Sequence, residues 1–278
     1  MTGRLYIDGH DAYSHWGVYV VSGGWNEVIS YPPLKTPEAN DWQEEDGIEA
    51  DLTNPQLDTK DVTIRFAYSG LYSRFMAFID VLSDGAYHNF NCFSIRRRFT
   101  LRMTQMPNLD MVHTLGFISI KFCNDFPLKG YTYKAPASSM IKAEDYLMDG
   151  MPFTDYGCRI LQGSLAEIIK VPAVKQNLLR NIASQPGAIY DGHRVTFKAK
   201  DVKLNCLMRA ETLAELWRNY DALLFDLIRP GERMLEVTEL GHIFPCYYKQ
   251  CQVKEFYPTS KIWLNFDLTL VFTRDFRV

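Results

Sequence analysis

The sequence lacks the short motifs by which most enzyme and cofactor-binding families are recognised. It has no Gly-rich phosphate loop, no GxSxG elbow, no HExxH pair and no cysteine and histidine set with metal-ligand spacing. Cys246 and Cys251 have four residues between them, and with His242 as the nearest imidazole we expect them to be structural. We therefore expect a protein that is not an enzyme and that uses neither a cofactor nor a metal ion.

Long apolar runs and a surplus of one charge are also absent. No run reaches the length of a membrane span, and the first residues lack the basic and apolar segments of a secretory signal. The net charge of -3 gives no electrostatic reason to expect nucleic-acid or anionic-membrane binding. Six cysteines lack CxxC spacing, and most have apolar neighbours: Cys92, Cys123, Cys158, Cys206, Cys246 and Cys251. We expect reduced core residues of a cytoplasmic protein, since a disulfide framework would require an oxidising compartment.

An internal repeat organises what the sequence does contain. Residues 60–68 begin Lys-Asp-Val and alternate apolar and polar residues, as a half-buried strand does, and residues 200–208 do the same. The offset of 140 also pairs three glycines of each half: Gly17 with Gly157, Gly23 with Gly163, and Gly47 with Gly187. With 278 residues, this predicts two tandem copies of one domain, over residues 1–128 and 145–278, joined by a linker over 129–144.

Each copy contains one segment with helical periodicity after the repeated strand. In the first copy the apolar positions are Leu71, Phe75, Phe78, Ile79 and Leu82. In the second copy the helix spans residues 212–228, and Thr212 and Glu215 have the spacing of a capping box.

Further strands surround these helices. We expect strands at residues 16–21, 86–93, 94–103 and 113–123 in the first copy, and a last strand from Ile262 to Phe272 in the second. An offset of 150 would pair that last strand with the one ending at Cys123. The pattern predicts a mainly β, α+β protein of two β-sandwich or half-barrel domains, each with one amphipathic helix.

Two loops of opposite charge lie before the repeated strands. In the first of them, residues 30–54, six acidic residues lie between positions 41 and 51: Asp41, Glu44, Glu45, Asp46, Glu49 and Asp51. Their spacing does not fit the calcium loop, in which a glycine at position six requires a glutamate at position twelve. The equivalent loop over 170–190 contains Lys170, Lys175 and Arg180 and no acid. Opposite charges in equivalent loops favour contact between the two copies or between stacked subunits.

One basic cluster, Arg96, Arg97 and Arg98, lies in a predicted strand. Because successive side chains of a strand point to opposite faces, a joint phosphate site is disfavoured. We expect instead pairing with the acidic loop at a sheet edge or an interface.

The order of elements resembles the tail-tube fold of long-tailed bacteriophages. Each half has the same order of elements: strand, turn, strand, long loop, strand, helix and hairpins. The likeness depends on strand 60–68 with helix 71–82, and on strand 200–208 with helix 212–228. Tail tubes, baseplate hubs and the N-terminal domain of distal tail proteins share this fold. The likeness is one of pattern, since no short motif is diagnostic. A usual distal tail protein has a galectin-like second domain, from which this sequence departs.

The resemblance implies a structural tail protein that forms a homo-oligomeric ring. Duplicated chains would close a pseudo-sixfold trimer and single-domain chains a hexamer, around a lumen that DNA crosses without specific binding. Other tail or baseplate proteins would be partners, and the protein would be assembled in the bacterial cytoplasm and reside in the virion tail. The long loops would contact the next ring, which makes candidate contacts of Trp42, Glu44, Glu45, Asp46, Lys175 and Arg180.

Two other functions remain open from sequence. Sixteen tyrosines and five tryptophans supply enough aromatic surface for a two-module carbohydrate-binding or adhesion protein. A carboxylate pair for glycoside hydrolysis leaves no sequence signature, so an enzyme of unrecognised type is the third alternative.

Overall fold

Two large antiparallel sheets, one in each half of the chain, form the core of the computed structural model. The structure describes residues 1–106, 110–112, 114–175, 179–181, 183–184, 186–190 and 195–276; within these, the side chains of 110–112, 179–181 and 188–190 are not described. The mainly β, α+β class predicted from the sequence is confirmed.

The first half contains the elements β1 (Leu5–Ile7), β2 (His10–Asp11), α1 (Ala12–Trp16), β3 (Val18–Val20), α2 (Asn26–Ile29), β4 (Ala39–Asn40), β5 (Glu49–Ala50), β6 (Lys60–Ser69), α3 (Tyr72–Leu82), β7 (Tyr87–Cys92), β8 (Arg97–Gln105), β9 (Asp110–Val112) and β10 (Leu115–Asn124). Its sheet has the order β2-β1-β7-β8-β10-β6-β3, with β9 also paired to β10. The acidic loop contributes the separate hairpin β4-β5.

The second half contains β11 (Tyr146–Met148), β12 (Met151–Pro152), a 3-10 turn (Phe153–Tyr156), β13 (Cys158–Ile160), α4 (Ser164–Ile169), β14 (Leu179–Asn181), β15 (Ala188–Tyr190), β16 (Lys200–Ala210), α5 (Leu213–Leu227), β17 (Arg233–Val237), a 3-10 turn (Thr238–Leu240), β18 (His242–Tyr257) and β19 (Ile262–Phe272). Its sheet has the order β12-β11-β17-β18-β19-β16-β13, and β14 pairs with β15. This is the strand order of the first sheet, element for element. The two halves therefore have one topology.

Matching residues occupy matching positions in the two halves. Gly17 ends α1 and Gly157 ends the first 3-10 turn, both with positive φ (75° and 69°), a conformation that favours glycine. Each also accepts a hydrogen bond of 2.9 Å on its carbonyl from the strand carrying the repeated motif, from Ser69 and Arg209 respectively. The glycine pattern thus marks turns that the shared topology needs twice.

The strand pairing corrects the predicted alignment of the last strands. Phe66 of β6 pairs with Ile118, and its counterpart Cys206 of β16 pairs with Phe266. Ile118 therefore corresponds to Phe266, an offset of 148, not to Leu268 at 150. Alternation of apolar residues has a period of two, so it cannot reveal a slip of two residues.

Three local predictions also needed correction. Trp16 is the last residue of α1 and does not begin a strand. Asp11 caps the start of that helix through a 2.8 Å bond from the amide of Ser14, and Gly17 ends it. Leu71 precedes α3 and is exposed, so it does not share the buried face of Phe75 and Leu82. Residues 94–96 form a turn between β7 and β8. His113 lies outside the described residues.

The other helix and core predictions hold. Thr212 caps α5 by accepting a 3.1 Å bond from the amide of Glu215, whose carboxylate accepts one from the amide of Glu211. All six cysteines are buried and free. The last strand, β19, is more buried than the alternation predicted: Asp267, Thr269 and other residues on its second face are covered as well.

The predicted linker follows α5 closely. Asn219 of this helix is buried and bonds both the amide and the carbonyl of Ala137, at 2.8 and 3.3 Å. Glu215 accepts bonds from the amide and hydroxyl of Ser139. The domain limits at 128 and 145 stay a prediction.

Candidate assembly surfaces

The two halves join through a segment of the first half that lies against β18 of the second. Residues 26–34, which include α2, form this segment, and we call it the leading segment. Its hydrogen bonds to β18 are Asn26 Nδ2 to Lys254 O at 2.7 Å, Val253 N to Ser30 Oγ at 2.9 Å, Tyr248 Oη to Pro32 O at 2.7 Å and Leu34 N to Lys249 O at 2.9 Å. Four bonds along one strand fix the register between the halves.

Helix α5 supports the same junction from the other side. The ring of Tyr31 stacks on that of Tyr220 with centroids 4.0 Å apart, and each hydroxyl donates to a backbone carbonyl of the other half. Burial raises the pKa of both phenols well above the ordinary value. These tyrosines therefore act as neutral hydrogen-bond donors at any ordinary pH.

The turn between β7 and β8 also contacts α5. Arg97 forms a two-point ion pair with Asp221 at 2.6 and 2.7 Å, and its guanidinium lies 4.4 Å from the centre of a Trp217 ring. The indole nitrogen of Trp217 donates to the carbonyl of Ile95 at 2.6 Å. Arg97 thus pairs with the second half, and for this residue the prediction of pairing with the acidic loop was wrong. Arg96 lies in the turn with φ 53°, and Arg98 is exposed.

The acidic loop contacts the loop of opposite charge within the same chain. The Lys175 side chain is 1% exposed, and its ammonium donates to the carbonyls of Trp42, Glu45 and Gly47 at 2.7 to 2.8 Å and pairs with Asp41 at 2.6 Å. Of the two contacts that the charges favoured, the structure shows the one between the halves. The ammonium of Lys175 is therefore not available for contacts outside the chain, because the first half encloses it.

The other candidate loop residues differ in hydrogen bonding and in exposure. Asp46 accepts a 2.8 Å bond from the amide of Phe197. Trp42, Glu44 and Glu45 have exposed side chains on the tip of the loop. The Arg180 side chain lies outside the described residues.

The repeated strand begins in both halves with a lysine whose ammonium is held by backbone carbonyls, which the sequence pattern did not predict. Lys60 donates to the carbonyls of Val28 and Ser30, and Lys200, at the offset of 140, donates to those of Ile168 and Lys170. Burial lowers the pKa of Lys60 to about 7 and that of Lys200 to about 8. The signal was present in the repeated Lys-Asp-Val, whose lysine binds carbonyls at the C-terminal end of α2 in the first half and of α4 in the second.

Comparisons with known proteins give a distant structural neighbour. No family model and no curated protein matches the sequence. Among solved structures, the Dit protein of phage SPP1, described as a paradigm of the hub adsorption apparatus of phages infecting Gram-positive bacteria, aligns over 96% of this chain and 97% of its own. Sequence identity is 9% and the TM-score 0.35. A likeness at that level carries no argument about function.

Two kinds of feature are absent from the described ranges. No three His, Cys, Asp or Glu side chains there are grouped to hold a metal ion. None of the helices described is long and apolar enough to cross a membrane. The hydrogen bonds and ion pairs described above join the two halves.

Proposed function

We propose that this protein is a structural subunit of a bacteriophage tail, or of a tail-derived machine, and that three chains close a pseudo-sixfold ring. One observation carries the proposal: the element order of the tail-tube resemblance occurs twice, with the same strand order in both sheets. Six equivalent units in a ring are then supplied by three chains. The ring would belong to the distal tail, the tube or a layer next to the hub, in a virion assembled in the bacterial cytoplasm.

The way in which the halves are joined supports a ring. The leading segment of the first half contacts β18 and α5 of the second, so the contact is head to tail and uses two different surfaces. A head-to-tail contact that is repeated gives a closed ring or an open filament, whereas a symmetric contact stops at a dimer. Closure would also cover sheet edges that are otherwise open to aggregation.

The weak net charge is compatible with DNA passing through the lumen. A channel that conducts DNA must not hold it, and the chain has 30 basic residues against 33 acidic ones. The proposal does not include sequence-specific binding of DNA. Neighbouring tail or baseplate proteins would contact the exposed loop tip with Trp42, Glu44 and Glu45.

Solution mass with negative-stain imaging tests the proposal. We expect a particle of three times the 32.1 kDa chain mass, with a central hole. A persistent monomer at high concentration would contradict it. Glycan binding by such a monomer would instead favour the carbohydrate-binding alternative, which the exposed Trp42 and Tyr257 keep testable.

A further inference from the structure

Each half carries a counterpart of the surfaces that join the halves, and at the two ends of the molecule these counterparts are uncovered. The counterpart of the leading segment, at the offset of 140, is residues 166–174, which we call the trailing segment. The counterpart of the surface formed by β18 and α5 is the surface of β8 and α3 in the first half. Both belong to the same topology, so their residues can be compared pair by pair.

The trailing segment has apolar residues at positions whose counterparts in the leading segment are buried, but its own residues at these positions are exposed. Ile29 and Tyr31 of the leading segment are 3% and 4% exposed. Their counterparts Ile169 and Val171 are 49% and 66% exposed. The preceding pair, Val28 and Ile168, is buried in both halves. The difference in exposure therefore arises on the side of each segment that faces away from its own half. In the leading segment this side is covered by the second half.

The surface of β8 reproduces the receiving surface of β18, including its irregularity. Met103 pairs with Phe122 and the next pair skips one residue; Tyr248 pairs with Leu270 and the next pair skips one residue too. The skipped residues are Thr104 and Lys249, at an offset of 145. The carbonyl of Lys249 accepts the bond from the amide of Leu34 that joins the halves.

Residues next to the shared bulge differ in the same way. Cys251 is 7% exposed under the leading segment, whereas Met106, its counterpart at the offset of 145, is 45% exposed. The counterpart of Leu34 in the trailing segment is Val174, which is exposed as well. A bulge re-aims a strand locally and leaves one residue without a ladder partner, which suits it to receive an outside segment.

We propose that copies of this chain associate by repeating the contact between their own halves. The trailing segment of one chain lies on β8 of the next, with Ile169, Val171 and Val174 against Met103 and Met106, and the amide of Val174 donates to the carbonyl of Thr104. The occupant of both uncovered surfaces is a second copy. The closure of this contact into a three-chain ring rests on the proposed function, but the contact itself rests on the paired residues.

The contact between chains is weaker than the one within the chain. At the turn between β17 and β18, the counterparts of Ile95 and Arg97 are Leu240 and His242. The counterpart of Asp221 is Asp80, because α3 and α5 begin after Leu71 and Thr212, at an offset of 141. A histidine in place of the two-point arginine pair binds less strongly, so assembly depends on closing the ring and on protein concentration.

A pair of engineered cysteines tests the register of this contact. We expect the double variant Val174→Cys with Thr104→Cys to form a disulfide between chains on mild oxidation, giving linked dimers and trimers on a non-reducing gel. The matched control, Leu34→Cys with Lys249→Cys, places the same pair within one chain and must shift mobility without raising the mass. Single-cysteine variants set the background from random collision.

The outcomes separate the two proposals. Rings that assemble without the linkage between chains, while the control pair closes, would overturn the proposed contact and leave the ring function standing. A linkage ladder that stops at three chains supports both. A chain that stays monomeric and unlinked, with the control pair closed, overturns both the contact and the ring.

A charge variant tests the same surface without relying on disulfide geometry. Val171→Glu leaves the fold intact, because the side chain is largely exposed in one chain, but we expect it to convert the three-chain particle into monomers. Ile141→Glu is the control, since Ile141 is an exposed apolar residue outside the trailing segment. Melting temperatures close to the unaltered protein establish that both variants fold. An intact ring in Val171→Glu would overturn the contact.

Discussion

The two halves of this chain have one topology but different neighbours, and the difference between matching residues reports what covers each half. Lys35 and Lys175 are counterparts, and both donate their backbone amide across the loop, to Gln56 and Thr196 at 2.8 Å. The Lys175 side chain is enclosed by the acidic loop of the first half, whereas Lys35 is exposed. Matching positions of the same fold therefore differ in burial, because only one of the two is covered by the other half of the chain.

The comparison also separates residues that serve the fold from residues that serve the junction. Lys60 and Lys200, or Gly17 and Gly157, make the same contacts in both halves and belong to the domain itself. Lys175, Asp221 and Gly47 make contacts that their counterparts lack among the residues that the structure describes. Substituting both members of a pair measures the junction directly, because the shared contribution of the domain cancels.

The largest effect is expected at Gly47. Its φ is +75°, and a Cβ atom there would lie 1.5 Å from the carbonyl oxygen of Thr273 in the second half. Gly47→Ala should lower the free energy of unfolding by more than about 3 kcal/mol, since a left-handed conformation alone costs ~1–2 kcal/mol and the backbone contact must also open. Urea denaturation followed by circular dichroism measures it.

The matched control is Gly187→Ala. Gly187 also has a positive φ, +84°, but no atom of the described residues lies within 4 Å of its would-be Cβ. We expect only the conformational cost, ~1–2 kcal/mol. Equal losses in the two variants would show that the junction does not hold Gly47 in place.

The second effect is at Lys175. Lys175→Met removes the donor of three backbone carbonyls and the partner of Asp41. We expect a loss of about 3 kcal/mol, because buried acceptors are left without partners. Lys35→Met, at the exposed counterpart, should change stability by less than about 0.5 kcal/mol. Comparable losses at both positions would contradict the intrachain role of Lys175.

A smaller effect is expected at Asp221. Asp221→Asn weakens the two-point pair with Arg97, and we expect a loss of about 1–2 kcal/mol, since hydrogen bonds to charged groups are worth roughly that much. Asp80→Asn, at the counterpart on α3, should leave the unfolding of the single chain unchanged. Denaturation at dilutions where the protein is monomeric compares the two, and a loss at Asp80 would count against the alignment of the helices.

The sequence predicts the class of fold, the strand carrying the repeated motif, both long helices and the existence of two similar halves. Local signals explain this: alternation in β6, the spacing of Phe75, Phe78 and Leu82, and the cap at Thr212. The junction was beyond such signals. Tyr31 and Tyr220 are 189 residues apart, and nothing in either local pattern points to the other. Arg97 was singled out by its charge, but charge alone favoured the acidic loop over the single carboxylate of Asp221.

The last prediction concerns the pH dependence of stability and the repeated lysines, of which Lys60 is buried and Lys200 half-buried. The folded-state pKa of Lys60 is about 7, lowered first by burial and then by Arg97, and that of Lys200 is about 8. In the unfolded chain both titrate near the ordinary value of about 10.4, so between pH 7 and 10 the unfolded state binds more protons and stability rises with pH. Lys60→Met should flatten that rise from pH 7 upward, by at most about 1.4 kcal/mol per pH unit. Lys200→Met should flatten it less and only from pH 8 upward, because Lys200 is half-buried and solvent screens its charge. Unfolding free energies measured from pH 6 to 10 test this prediction. If the curve of Lys60→Met ran parallel to that of the unaltered protein, the Lys60 ammonium would not be held in a buried site. If the predicted changes are seen, the pH–stability curves of Lys60→Met and Lys200→Met also report on the two halves separately. Lys60 lies beneath the covered leading segment, and Lys200 lies beneath the exposed trailing segment.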